Sequence, residues 1–175
     1  MSMRSWWVLS MLGLSSLGLS SLAGAEVPQE GVSSRPPERR AKSYVDAVSY
    51  FQSEAEFQAW FELRGRLNQN FDDICGDTFC EGDYSNIESI VFRCSVETRT
   101  GVVGQCLWVF GGSAEDIDSR TGVISTQTRT WACKSPLARG TTMAALLTAL
   151  AGPEPLYATL PGTQKTLYDG LVDCL

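Results

Sequence analysis

Six cysteines, at positions 75, 80, 94, 106, 133 and 174, constrain this chain more than any other feature of its 175 residues. All six follow an N-terminal stretch that reads as an export signal. An even number of cysteines in an exported chain reads as a disulfide framework, here three bonds. The rival reading is a cysteine-ligated zinc site. It fails on spacing, because the cysteines do not pair as two CxxC knuckles, and the chain has no histidine to complete such a site.

The export reading rests on residues 1–25. Arg4 supplies the positive start, residues 6–22 an apolar stretch diluted by serine and glycine, and Ala23-Gly24-Ala25 the small residues before cleavage, expected ahead of Glu26. The stretch is too short and too rich in serine to favour a membrane span. Ala25 stands where a lipoprotein would need an acylatable cysteine. The expectation is a soluble secreted or periplasmic protein with no membrane span after signal cleavage. Residues 26–42, EVPQEGVSSRPPERRAK, carry three prolines and almost nothing large and apolar, and predict a disordered linker. Residues 43–175 are then one domain, large enough to fold around its own core.

The chain has 20 acidic against 14 basic residues, a net charge of −6, one unit lower once Arg4 leaves with the signal. Such a charge repels phosphate backbones and argues against nucleic-acid binding.

Ser53 with Glu56 three residues on forms a capping box. Phe57, Trp60, Phe61, Arg64, Leu67 and Phe71 then recur at helical spacing, predicting one long amphipathic helix. Residues 43–51 show no assignable period. From Ile87 the period changes to two, with Ile90, Phe92, Cys94 and Val96 on one face. The turn Thr98-Arg99-Thr100-Gly101, a second strand over 102–110, the turn Asp118-Ser119-Arg120-Thr121-Gly122 and a third strand over 123–133 predict a meander. Gly111-Gly112 suggests a bulge bending the second strand. Thr141 or Thr142 caps a second, short helix over 143–151, apolar nearly all round and stopped by Gly152-Pro153. The predicted fold is α+β: a long helix packed on a curved antiparallel meander sheet of three to four strands, a cystatin-like or nuclear-transport-factor-like (NTF2-like) arrangement.

This meander proposes the disulfide pairing. Opposed residues in the first hairpin have numbers summing to about 200 if the turn centres on Thr100, and Cys94 and Cys106 meet that condition. Cys75 and Cys80 enclose only four residues, so they can close on each other. Cys133 and Cys174 remain, tying the third strand to the C-terminus.

Absence of histidine removes Ser-His-Asp and Cys-His catalysis, and oxidised cysteines leave no thiolate nucleophile. No nucleophile elbow, P-loop or dinucleotide fingerprint occurs. The chemistry that remains is carboxylate chemistry, concentrated in 71–86, FDDICGDTFCEGDYSN, with Asp72, Asp73, Asp77, Glu81 and Asp83. Read as an acidic loop, these five supply oxygens for calcium. Two of them could instead serve as general acid and base on a glycan. The plainer reading is a solvated turn in which Asp and Asn cap backbone groups. The same stretch, together with the closing TLYDGLVDCL, resembles a group of uncharacterised exported bacterial proteins over most of 50–175. The resemblance brings no activity, ligand or site residue. The expected function is an exported non-enzymatic domain binding an extracytoplasmic protein or glycan. The alternatives are a carboxylate-based hydrolase of glycan or cell wall and a calcium-stabilised structural domain.

Overall fold

The computed structural model describes residues 41–175. The expected signal peptide at 1–25, and all but the last two residues of the expected linker at 26–42, lie outside the described residues. Elements follow in the order β1 (Tyr44–Asp46), α1 (Ala47–Tyr50), α2 (Glu54–Ile74), β2 (Glu88–Glu97), β3 (Val103–Ile117), β4 (Ile124–Lys134), α3 (Met143–Ala149) and α4 (Leu167–Val172), with a π-helical turn at Cys75–Phe79. The expected α+β architecture is present: a long helix lies on a curved, unclosed, four-stranded antiparallel meander of order β1-β2-β3-β4.

The long helix begins where the sequence predicts. Ser53 Oγ accepts from the Glu56 amide, and Glu56 Oε2 accepts from the Ser53 amide, satisfying two donors that a helix start leaves orphaned. Its buried stripe is Trp60, Leu63, Leu67 and Phe71. The expected stripe is corrected at two positions. Phe61 is 54% exposed with the Arg64 guanidinium 5.9 Å above its ring, while Leu63 takes the buried place. Spacing of three, four and four from Trp60 follows one narrow line along the helix, and Phe61 lies one step off it.

That stripe packs on the inward face of the sheet. Trp60 sits 5.6 Å from Phe92, and Phe71 sits 4.6 Å from Phe110 and 6.0 Å from Trp108, ring centre to ring centre. Such aromatic pairs add about 0.5–1.5 kcal/mol each beyond their buried area. Leu146 of α3, Leu156 and Leu160 of the following loop, and Leu167 and Leu171 of α4 close the same core. Helix α3 is shorter than expected and two-faced: Met143 and Leu146 are buried, and Ala144 and Ala145 are exposed.

Cys94 pairs directly with Cys106, the register expected from the turn. All three expected disulfides are present, with Cα separations of 4.9 Å for Cys75–Cys80, 4.0 Å for Cys94–Cys106 and 5.5 Å for Cys133–Cys174. The expected bulge is displaced. Ser89 pairs with Phe110 and Val91 with Val109, so the extra residue is Ile90 on β2, 58% exposed rather than inward-facing. Gly111 and Gly112 stay in register opposite Thr130 and Arg129. Their role is room: a Cβ on Gly111 would stand 2.9 Å from Ile90 Cδ1. Residues 43–51, unassigned from sequence, hold β1, which pairs Tyr44 with Glu97, and α1, whose start is capped by Asp46. At the other end, Gly170 lets α4 approach the sheet, since a Cβ there would lie 3.0 Å from the Lys134 carbonyl oxygen.

Candidate binding cleft

The acidic stretch is not one loop. Phe71 is fixed in the core and stacked on Phe79, so the helix continues through Asp72 and Asp73 to Ile74. The π-helical turn then closes, with the Cys80 amide donating to the Cys75 carbonyl at 2.6 Å beside their disulfide. Asp72 and Asp73 lie on the last helical turn, Asp77 in the π-helical turn, and Glu81 and Asp83 beyond Cys80; all five are exposed. Among the described residues, no group of three or more acidic or cysteine side chains is gathered where an ion would be held. Sequence proximity became angular separation because a helix turns its successive side chains by about 100°.

Of the five, Asp83 lines a concave site. Beyond Gly82, whose φ of +83° suits glycine, the chain turns back towards the far part of β3 and β4. Asn86 fixes this approach: its Nδ2 donates to Ser113 Oγ, and its Oδ1 accepts from the Ser113 amide, both at 2.7 Å. Tyr84 meets Trp131 edge to face at 5.4 Å, and the Arg129 guanidinium lies over the Trp131 ring at 4.9 Å. Beside this contact, between residues 82–85 and the ribbon, opens a cleft of about 490 Å³. It is lined by Gly82, Asp83, Tyr84 and Ser85 on one side and by Ser113, Ala114, Glu115, Asp116, Ser125 and Gln127 on the other.

Sequence reasoning missed this second wall. Asp116 stands two residues before the Asp118 turn, and the hairpin places it directly opposite Ser125, with Ala114 opposite Gln127. The signal was available in the Asp118 turn. Asp118 Oδ1 accepts from the amides of Arg120 and Thr121 at 2.9 and 2.8 Å, and Gly122 takes a φ of +72°, which sets the register of the whole ribbon. What the sequence does not carry is the long-range return of residues 82–86 to β3.

Hydrogen bonding accounts for the displaced carboxyls. The Thr121 and Arg120 amides hold Asp118 below the usual carboxylate range. The Thr100 hydroxyl, assisted by Arg99, lowers Glu97. The Gln52 amide and the Ser53 hydroxyl lower Glu56, and the Thr166 amide and hydroxyl lower Asp169. Each is lowered and holds a turn or a helix start, whereas a general acid needs a raised value.

The cleft therefore offers three carboxylates, an amide, hydroxyls and one aromatic edge, a donor and acceptor set suited to a polyhydroxylated ligand. Among the described residues, no helix is long and apolar enough to cross a membrane. Comparison with protein-family models, with curated proteins and with solved structures gives no match.

Proposed function

We propose that this chain is an exported, non-enzymatic binding domain whose ligand is a glycan taken up in the cleft between residues 82–85 and the β3–β4 ribbon. The observation that carries the reading is the composition of that cleft: Asp83, Glu115, Asp116 and Gln127 can each engage neighbouring sugar hydroxyls, with Tyr84 beside them. Export is supported by the three disulfides, which persist in oxidising compartments, and by the signal-like start of the sequence. The hydrolase reading keeps one supporting observation, the three carboxylates on a single cleft.

Titration calorimetry with soluble cell-wall glycan fragments and neutral oligosaccharides tests both. The expected result is saturable binding without new reducing ends, weakened about tenfold or more by Asp116→Asn or Gln127→Ala. Release of product would favour the hydrolase, and a folded protein with no affinity for any glycan would overturn the proposal.

A further inference from the structure

Among the described residues, the outer edge of β4 is open. Within the described residues β4 is the last strand of the sheet, and its pairing with β3 runs unbroken from Lys134 opposite Leu107 to Ile124 opposite Ile117. The Asp118 amide donates to the Val123 carbonyl at one end of the ribbon, and the Ser135 amide donates to the Cys106 carbonyl at the other. Alternation between these two fixed points turns the odd-numbered residues of β4 towards β3 and the even-numbered ones outward. The amides and carbonyls of Ile124, Thr126, Thr128 and Thr130 thus point away from the sheet, and among the described residues nothing pairs with them. Near Lys134 the close approach of Gly170 in α4 crowds this edge, so its open part is 124–130.

Edge strands are commonly protected by shortness, proline, inward charge or a cover. The opposite edge, β1, is three residues long. The open part of β4, ISTQTRT, has eleven-residue β4 behind it, no proline and a single charge, and is β-branched at every outward position.

We infer that this edge pairs antiparallel with the same edge of a second copy of the chain, on a two-fold axis through Gln127. Strand-to-strand pairing is the partner geometry that a row of unpaired, alternating backbone groups accepts. The choice of a second copy follows from self-complementarity. About Gln127, Thr126 faces Thr128 of the second copy and Ile124 faces Thr130, four pairs and about eight hydrogen bonds in all. Cross-strand threonine pairs are favourable. Arg129 faces Ser125, behind which stands Asp116 on the same face, two strand spacings or roughly 10 Å away and within reach of a guanidinium. Centring on Arg129 instead would set two arginines against each other, and like charges directly opposed destabilise. The Gln127 register also confines the pairing to 124–130, clear of α4. The resulting sheet has eight strands.

Sedimentation of the secreted protein over a concentration series, with two variants, tests this. The expected result is a reversible dimer. Thr128→Pro removes an amide that β3 does not use, so it should leave the fold intact and abolish the dimer. Thr128→Lys should weaken it about tenfold or more. Gln127→Cys should cross-link to its own copy far faster than the exposed-loop control Arg139→Cys, because opposed Cβ atoms at such a site lie about 4.5–5.5 Å apart. A monomer throughout, a dimer that both Thr128 variants leave intact, or equal cross-linking at the two cysteines overturns the inference.

Discussion

The β3–β4 ribbon has two halves that share one ladder and differ in burial. In the inner half, 107–110 against 131–134, Trp108, Phe110, Trp131 and Cys133 are buried, and Phe71 packs on both β3 aromatics. In the outer half, 111–117 against 124–130, residue pairing continues without a break, yet every residue from 121 to 130 is exposed. Residues 111–114 on the β3 side are half-buried, so the same hydrogen-bond pattern coexists with a steep fall in burial towards the outer end. Backbone pairing alone stabilises a two-stranded ribbon only marginally, so side-chain burial must hold the fold. The outer half is free to be selected for something else, and it is there that both the cleft and the open edge lie.

Mutations sharpen the contrast. The largest loss should come from Phe71→Ala, which leaves a cavity beneath Trp108 and Phe110 and should cost about 3–5 kcal/mol in urea unfolding. The outer-half counterpart, Gln127→Ala, should stay within about 0.5 kcal/mol in the same assay. Removing Cys133–Cys174 by a double serine substitution should cost about 4 kcal/mol, since it closes the longest loop, 41 residues apart in sequence. The Cys75–Cys80 pair, five apart, should cost about 2 kcal/mol.

Glu97 gives a smaller, pH-dependent difference at the inner end of β2. Its folded value is lowered by the Thr100 hydroxyl and Arg99, so its contribution is present above the usual glutamate range and is lost as pH falls through the folded value. Glu97→Gln should therefore reduce stability near neutral pH and converge with the unmodified protein in acid, as acid-to-neutral melting curves would show. The smallest expected effect is that of calcium. With Asp72, Asp73, Asp77, Glu81 and Asp83 not gathered, millimolar calcium and chelator should give the same melting temperature. A calcium-dependent rise abolished by Asp77→Asn would instead support the calcium reading.

Elements whose signals are local were legible. The Ser53–Glu56 box and the aromatic spacing after it located α2, and the Asp118 and Gly101 turns fixed hairpin registers well enough to pair Cys94 with Cys106. Errors arose where a tertiary contact decides. Ile90 continues the inward alternation in sequence, but the bulge expels it, and Gly111 provides the space across the strand pair. Asp72 and Asp73 look like loop residues until Phe71 is seen anchored in the core, carrying the helix past them. Of the cleft, Asp83 alone was anticipated, because its other wall depends on Asn86 reaching Ser113, a contact between residues 27 apart in sequence. Period and turn chemistry do not encode such a contact.

The central claim is that the outer ribbon contributes little to folding. It is tested most directly by shortening the ribbon and melting the protein. Ala114 and Gln127 face each other, so joining them through Asn-Gly replaces 115–126 with a two-residue turn that preserves register. The account predicts a cooperative transition within about 5 °C of the full-length chain, together with loss of dimer and of glycan binding. Failure of the shortened chain to fold, or a fall in melting temperature as large as that of Phe71→Ala, would contradict it.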